Sequence, residues 1–386
     1  MKVRLLILPA ICWPFAVVGP AFAQTWTQTG ASNGYWYSIA CSADGSKLVA
    51  GTYGQIYAST NRGQTWATNH SPSAYLWTSV ASSADGFKLI AAAGFPMTGP
   101  VYTSTDSGQT WISNNLPSKM WFFVISSADG SKLAAGAQGY LTNKGAIYVS
   151  TNSGADWQIS GSNDWYSAAA SASGDFLVGI SGNQISISTN WGLMWAVTSA
   201  PRTNWLKIAC SVDGRTIVAA VSGAAQNPVY VSTNFGITWT KALDSFGSWS
   251  SAASSADGSR LLVTDDNQIF ASTNNGSTWV VASPNKQWFA LASSADGDEW
   301  LATTIPNGSI LTCQTTPSPQ LNLTLSGSNL TASWIIPSTN FVLQQSADLS
   351  NWTDLTNSPV LNLTNLQEEV VLSPINGSGF FRLKTQ

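Results

Sequence analysis

Carboxylates are the side chains in this chain whose type and spacing could support acid-base chemistry. Charged residues make up only 9% of the 386 residues, and six of the 19 acidic ones stand in Asp-Gly turns that use them structurally. Setting aside the acids in turns leaves Asp164, Asp244, Asp265 and Asp266 as candidates, with Glu299 inside a strand. Only Asp164 and Asp244 approach a repeated Trp. Two carboxylates about 5 to 9.5 Å apart can hydrolyse a glycosidic bond. Asp164 and Asp244 are therefore the catalytic candidates if the chain is an enzyme.

Aromatic residues are the second group that could bind a ligand, because indole and phenol rings offer flat apolar faces with a polar edge. Seven Trp residues stand eight residues before the third position of a Ser-Ala-Asp-Gly-like turn. They are Trp36, Trp77, Trp121, Trp165, Trp205, Trp249 and Trp288. Two interpretations stay open: these Trp are wedges between sheets, or they form a stacking platform together with Tyr37, Phe122 and Tyr166.

Metal, cofactor and nucleic-acid chemistry find little support in the composition. His70 is the only histidine, and no Cys or His spacing matches a metal site. The formal net charge is −3, so a basic patch for nucleic acid is not expected. We predict no metal and no cofactor.

An eight-residue turn motif recurs six times, with Ser, Thr, Asn or Asp, Gly and Trp in fixed places. The copies begin at Ser59, Ser104, Ser150, Ser188, Ser232 and Ser272, and each ends in Trp. Gly supplies the positive φ, and the amide or acid caps nearby N–H groups. We assign this structural role to Asn61, Asp106, Asn152, Asn190, Asn234 and Asn274. Trp191 and Phe235 are aromatic at a position expected to face solvent, which indicates either packing on a neighbouring loop or a contact patch for another protein.

The two motifs alternate with a period near 40 residues, and each period contains four short strands. In the first period the strands are predicted at Trp36 to Ser42, Lys47 to Thr52, Gln55 to Ser59 and Thr65 to Thr68. This pattern is typical of propeller blades. Seven Trp-to-turn units but six eight-residue turns leave one blade without its outer strand. We predict an all-β, seven-bladed β-propeller whose N-terminal strand, residues 24 to 29, closes the last blade beside Trp288.

The ends of the chain differ from the repeats. Residues 1–23 have basic residues, an apolar run and a closing Ala-Phe-Ala, which predicts a signal peptide. The propeller is assigned to residues 24–314 and a Pro-rich linker to 315–319. Residues 320–386 contain short alternating strands that predict a small β-sandwich. Nothing after the signal peptide reaches transmembrane length.

The eight-residue turn resembles the Asp-box of sialidase-type (BNR-repeat) β-propellers, with Asn replacing Asp in five of six copies. The repeat order is similar to that of photosystem II assembly factors and sortilin-like propellers, which bind protein segments. The C-terminal segment resembles fibronectin-type-III-like modules of exported verrucomicrobial proteins. In Asp-box propellers the turns lie opposite the ligand site, so Arg202 is the one arginine expected on the ligand face. A sialidase would need an arginine cluster that this chain lacks.

These observations predict an exported, non-catalytic bacterial propeller that binds a protein or a polysaccharide, or acts as a scaffold, at the cell surface, in the periplasm or outside the cell. The alternative is an Asp-box glycoside hydrolase using Asp164 and Asp244. We expect a monomer. Three cysteines follow the signal peptide, and buried free thiols are favoured over a bridge between Cys41 and Cys313.

Overall fold

A computed structural model of the protein describes residues 25–68, 75–94, 97–139, 145–223, 227–245, 247–306, 308–315, 320–326, 329–337, 341–347, 349–372 and 379–385. The predicted signal peptide, His70 and most of the predicted linker lie outside these residues. All elements of the described part are strands joined by turns, which confirms the all-β prediction. No helix of this part is long and apolar enough to cross a membrane.

Seven antiparallel sheets form the blades of a propeller, and each blade begins with its innermost strand. The closing strand β1 is Trp26–Gln28. Blade 1 contains β2 (Ser38–Cys41), β3 (Leu48–Gly51) and β4 (Ile56–Ser59). Blade 2 contains β5 (Trp77–Ser82), β6 (Leu89–Ala93), β7 (Val101–Ser104) and β8 (Ile112–Ser113). Blade 3 contains β9 (Met120–Ser126), β10 (Leu133–Gln138), β11 (Ala146–Ser150) and β12 (Gln158–Gly161).

The later blades repeat this order. Blade 4 contains β13 (Trp165–Ala170), β14 (Leu177–Ser181), β15 (Gln184–Ser188) and β16 (Ala196–Val197). Blade 5 contains β17 (Trp205–Cys210), β18 (Ile217–Val221), β19 (Asn227–Ser232) and β20 (Thr240–Ser245). Blade 6 contains β21 (Ser251–Ser254), β22 (Leu261–Thr264), β23 (Ile269–Ser272) and β24 (Val280–Val281). Blade 7 contains β25 (Trp288–Ser293), β26 (Glu299–Thr304) and β27 (Ile310–Gln314).

The ring closes through the N-terminal strand, as the repeat count predicts. Strand β1 pairs antiparallel with β27, with Trp26 opposite Cys313. The Trp26 ring lies 5.0 Å from that of Trp288, and its Nε1 donates to the Ala282 carbonyl at 2.8 Å. In blade 1 the predicted fourth strand is reduced to a single bridge between Ala58 and Ala67.

A closed circle of backbone hydrogen bonds joins the seven blades at one end of the axis. A Ser follows each inner strand, and the residue after that Ser donates its N–H to the carbonyl of the equivalent residue in the next blade, at 2.7 to 2.8 Å. The donors in order are Ala43, Ala84, Ala128, Ala172, Val212, Ala256 and Ala295, and the last donates back to Ala43. Small side chains at these positions let neighbouring backbones approach closely. We call these seven residues the axial ring.

The Asp-Gly turns and the eight-residue turns lie at the same end of the propeller as the axial ring, which we call the lower face. The fourth residue of an eight-residue turn donates its N–H to an Asp-Gly turn of the same blade, as Arg62 does to Ser46 at 2.9 Å and Ser153 to Ser131 at 2.7 Å. The connectors between blades lie with the loops between second and third strands at the opposite, upper face. There Thr203 donates to the Asn183 carbonyl at 3.2 Å.

The C-terminal segment forms the predicted β-sandwich of two sheets. One sheet contains β28 (Asn322–Ser326), β29 (Asn329–Ile335), β32 (Val360–Asn362) and β33 (Gln367–Leu372), and the other contains β30 (Phe341–Ser346), β31 (Thr353–Asp354) and β34 (Phe380–Thr385). Ala332, Trp334, Leu343 and Val370 are buried between them.

The sandwich also covers the lower end of the propeller axis. Ile335, Ile336, Leu363 and Leu366 pack against the alanines of the axial ring. Because the ring presents only methyl and isopropyl groups, this contact buries apolar surface from both domains. The lower end of the axis is therefore closed by the chain itself.

Candidate functional site

The seven repeated Trp side chains are buried wedges, with 0 to 4% of their surface exposed. They are Trp36, Trp77, Trp121, Trp165, Trp205, Trp249 and Trp288. Most stack edge-on against an aromatic ring of their own blade, as Trp36 does on Tyr57 at 5.0 Å and Trp249 on Phe270 at 5.7 Å. None of the seven presents an open ring face to the axis, so the indoles do not form the stacking platform that was the alternative interpretation. Burial between blades explains their repetition by packing.

The residue after each of these Trp has a different environment, and in blades 2, 3, 4, 5 and 7 the strand pairing shifts by a β-bulge there. The pairing of β13 with β14 shifts between Trp165 and Ser167, and that of β9 with β10 shifts across Phe122. A bulge adds one unpaired residue and re-aims its side chain. The seven residues that follow the repeated Trp are Tyr37, Thr78, Phe122, Tyr166, Leu206, Ser250 and Phe289, and all are half-buried. We call them the upper rim.

Five of the seven upper-rim side chains are large and apolar or aromatic. Tyr37 packs against Phe289 at 5.9 Å, and Phe122 against Tyr166 at 5.9 Å, both edge to face. Below the rim, inner strands of blades 1 to 4 and 7 line an axial cavity of about 300 Å³. Lys207 lies on the inner strand of blade 5, and burial lowers its pKa. Sequence reasoning missed Lys207, although Ser stands at this position in four other blades.

A larger cavity of about 500 Å³ lies at the upper end of blade 4 and brings together three residues singled out from the sequence. Asp164, Trp165 and Tyr166 line it, together with Ser186 and Trp195. Polar side chains of Asn163, Asn183 and Gln184 and the apolar Val197 complete the lining. Asp164 Oδ1 accepts the Gly139 N–H at 2.7 Å. Burial raises the pKa of Tyr166, and the Asp164 charge acts in the same direction.

The second catalytic candidate, Asp244, is on a different element from Asp164. It lies on β20, the outer strand of blade 5, where its Oδ1 forms an ion pair with Lys241 Nζ at 2.8 Å. The blade 4 cavity has Asp164 as its only carboxylate among the described lining residues. The geometry therefore does not bring Asp164 and Asp244 into one cavity. Arg202 is exposed on the connector that leads into Trp205 at the upper face.

Ion pairs at the lower face join blade 7 to both of its neighbours, blade 1 and blade 6. Arg62 of blade 1 donates to Glu299 of blade 7, and Arg260 of blade 6 pairs with Asp298. Burial raises the pKa of Glu299 to about 7, with Arg62 acting in the opposite direction. These side chains lie at the end that the sandwich covers, so we assign them to structure.

The eight-residue turns have one hydrogen-bond pattern. In the first, Asn61 Oδ1 accepts the Ser59 hydroxyl at 3.0 Å and the Thr65 N–H at 2.9 Å, while Gly63 has a φ of 77°. Equivalent bonds form at Asp106, Asn152, Asn190, Asn234 and Asn274. These side chains form hydrogen bonds within their own turns, which fits the structural role that the sequence predicts for them.

The aromatic residues within two turns differ from each other. Trp191 is buried and donates Nε1 to the Ser150 carbonyl of blade 3 at 3.0 Å, so it packs on the neighbouring blade. Phe235 is 40% exposed and lies 6.0 Å from Phe176.

Among the described residues, Cys41, Cys210 and Cys313 form no disulfide, and Cys313 is buried whereas the other two are half-buried. Cys41 Sγ donates to the Ser293 carbonyl at 3.3 Å, and Cys313 lies on β27 opposite Trp26. No group of three or more metal-ligating side chains occurs in the part of the chain that the structure describes.

Solved structures with the same architecture are β-propellers. The YCF48 protein bound to D1 peptide matches with a TM-score of 0.56 and 18% identity, covering 76% of this chain and 96% of its own. The propeller domain of Myceliophteria thermophila Cps50 (Swd1) matches with 0.58 and 13%, covering 76% and 100%. Kuenenia stuttgartiensis hydrazine synthase matches with 0.59 and 14%, covering 75% and 99%. No protein-family model and no curated protein sequence matches. These similarities establish the propeller fold alone.

Proposed function

We propose that this chain is an exported, non-catalytic β-propeller that binds a segment of another macromolecule, protein or glycan, at its upper face. The observation that carries the proposal is the upper rim, where five large apolar or aromatic side chains are half-exposed. A ring of such groups is what a binding surface needs and a folded core does not. The sandwich covers the lower end of the axis, which leaves the upper face as the binding side.

A protein segment is one ligand class that fits this surface. Edge-to-face pairs such as Tyr37 with Phe289 leave gaps between them for an inserted side chain. YCF48, a propeller of similar fold, has been solved with a bound peptide. The same rim would also serve a glycan, since Tyr hydroxyls add polar edges to the aromatic faces. Export, a monomeric state and a location at the cell surface, in the periplasm or outside the cell belong to this proposal through the predicted signal peptide.

Binding to the upper face can be tested with rim variants and a lower-face control. The protein would be immobilised and screened against arrayed peptides and arrayed neutral polysaccharides. Substituting Tyr37, Phe122 and Phe289 together with Ser should abolish any binding found. Substituting the exposed Leu193 and Met194 of an eight-residue turn with Ser should leave it unchanged. Binding that survives in the rim variant would contradict the proposal.

The glycosidase alternative has its own test. Reducing-sugar release from plant and bacterial glycans would be measured with the purified protein. The geometry of Asp164 and Asp244 predicts no release, because no described partner carboxylate shares the Asp164 cavity. Release that Asp164→Asn or Asp244→Asn eliminates would favour the enzyme over the binding protein.

A further inference from the structure

Lys207 is the one charged residue in the seven inner-strand segments that surround the propeller axis. These segments run from each repeated Trp to the Ser that follows the inner strand, and their other residues are apolar, aromatic, Cys, Ser or Thr. Lys207 takes the second place after its Trp, where four other blades have Ser and the remaining two have Phe123 and Ala290. Six blades form the same strand without a charge at this place, so the fold does not require one.

Side chains at this position point along the channel wall toward the inner strand of the next blade. Ser38 Oγ donates to the Trp77 carbonyl at 3.1 Å, and Ser167 Oγ accepts the Ile208 N–H at 3.3 Å. Lys207 therefore starts at the seam between blades 5 and 6. In the part of the chain that the structure describes, no hydrogen bond or ion pair holds its ammonium group. Because its side chain is longer than that of Ser, it extends past the contact that the Ser hydroxyls make.

The open part of the Lys207 side chain faces the axis. The residue is half-buried, and strands β13, β18 and β21 cover β17 on its other sides. The axial cavity of about 300 Å³ is lined by blades 1 to 4 and 7, whereas no described residue of blades 5 and 6, which flank Lys207, lines it. A long side chain lying in front of these two blades explains that asymmetry. Because the sandwich covers the lower end of the axis, the ammonium group is reached from the upper face.

No carboxylate compensates the charge of Lys207. The strands that pack on β17 are β13, β14, β18 and β21; they contain no charged residue, and Tyr166 on β13 is their one titratable side chain. Burial lowers the pKa of Lys207, and no acidic group acts in the opposite direction. A desolvated ammonium group is unfavourable for stability, and an apolar side chain of similar length would avoid that loss. An unpaired cation in a channel that opens to the upper face points to an anionic group supplied by a ligand.

We propose that Lys207 binds a carboxylate group of a protein segment that enters the channel from the upper face. The upper rim then holds apolar side chains of the segment, and the ammonium group forms an ion pair with the carboxylate. Such a pair is screened less by salt and water inside the channel than it would be on the surface. This inference rests on the proposed function and names the group that the ligand must carry.

The channel favours a protein segment over an acidic polysaccharide. Its cavity is lined mainly by Ala, Val and Ile. The hydroxyls of Ser82, Ser126 and Ser293 donate to the carbonyl of the following residue at 2.9 to 3.0 Å. The hydroxyl groups of a uronic acid would find few free partners there, which is unfavourable. An apolar residue next to a carboxylate matches both the lining and Lys207. Two sources supply that chemistry, the free C-terminus of the segment and an Asp or Glu side chain, and the experiment separates them.

Matched peptides test this assignment with the full chain. Arrayed peptides are synthesised in three forms: with a free C-terminal carboxylate, with a C-terminal amide, and with the amide together with Gln and Asn in place of Glu and Asp. Peptides that bind in the first form should bind at least about tenfold more weakly in the third, the order expected for a lost hydrogen bond to a charged group. Weakening already in the second form identifies the C-terminus as the source, and weakening only in the third identifies a side chain.

Variants of two lysines connect that preference to the channel. Lys207→Met keeps a long side chain but removes the charge, so it should bind the three forms equally. Lys286→Met is the matched control, because Lys286 is exposed on the connector that leads into Trp288 at the upper face, and it should keep the preference. Melting temperatures verify that both variants are folded. If Lys207→Met does not fold, Lys207→Gln takes its place.

Four results would overturn the assignment. They are equal binding of the three peptide forms to the parent, a preference that survives in Lys207→Met, the same loss of preference in Lys286→Met, and Lys207-dependent binding of polygalacturonate, an acidic polysaccharide, when no peptide binds. Equal binding of the three forms that the triple Ser variant of the upper rim abolishes would leave the proposed function intact and remove only the role of Lys207. If neither peptides nor polysaccharides bind, both proposals fail.

Discussion

Replacing Trp26 with Ala should destabilise the whole propeller, because this residue joins the first strand of the propeller to its last blade. Its ring packs on Trp288 at 5.0 Å and on Trp300 at 6.5 Å, and its Nε1 donates to the Ala282 carbonyl at 2.8 Å. A fully buried Trp replaced by Ala costs about 3 to 5 kcal/mol. Trp26 is half-buried, so about 2 kcal/mol is the share for packing, and the hydrogen bond adds about 1 kcal/mol.

The expected loss of about 3 kcal/mol would be measured by urea unfolding followed through tryptophan fluorescence. For a domain of this size it corresponds to a melting temperature lower by about 6 to 12 °C. Ile112→Ala, at a residue that is 67% exposed on β8, controls for surface truncation and should cost less than about 0.5 kcal/mol.

A second control separates ring closure from local stacking. Trp239 packs on Trp205 at 6.0 Å within blade 5, in the same way that Trp26 packs on Trp288. Trp239→Ala removes a similar contact in a blade whose four strands come from one continuous segment of the chain. If Trp26→Ala costs no more than Trp239→Ala, ring closure contributes nothing beyond local packing, and the reasoning fails.

Three further predictions follow from groups away from the upper face. The pKa of Glu299 is raised to about 7 from an ordinary value of 4.5, so its contribution to stability is complete below about pH 4.5 and is lost as the pH rises through 7. Glu299→Gln should therefore flatten the pH dependence of the melting temperature between about pH 5 and 8. An unchanged slope would contradict this. Burial raises the pKa of the Cys313 thiol to about 11, so maleimide at pH 7 should label it only after unfolding, and dithiothreitol should leave the melting temperature unchanged. Ile336→Asp should loosen the contact between the sandwich and the axial ring. The change would be seen as two calorimetric transitions or as increased protease cleavage near residue 315. Val360→Asp, at an exposed residue, is the control and should leave one transition.

The fold could be predicted because the turn residues and the spacing between motifs recur in each repeat. Gly63 adopts the positive φ that the turn needs, and Asn61 caps the turn with its side chain. The constant spacing from Trp36 to Asp44 and its equivalents sets the length of the inner strand. Counting the two motifs then predicted that β1 closes blade 7, which the pairing of Trp26 with Cys313 confirms.

The environment of the Trp residues could not be predicted from one chain. A repeated core residue and a repeated platform have the same sequence pattern, and only their packing on Tyr57 and its equivalents separates them. The contact between the sandwich and the axial ring could not be predicted either, because nothing in the sequence distinguishes Ile335 and Leu366 from other strand and turn residues. Both features depend on contacts between elements that are distant in sequence.

One packing position shows how each blade keeps its repeated Trp buried. Where an aromatic residue fills it, as Tyr230 does beside Trp205 at 5.4 Å, the ring covers the Trp directly. Where Leu311 stands there, the side chain is also buried. Where Ser186 stands there, Trp195 lies 4.5 Å from Trp165, and Gly179 leaves room for the Trp165 ring against the sheet. Trp165 therefore stays buried although its blade lacks the aromatic residue, because neighbouring groups take up the space.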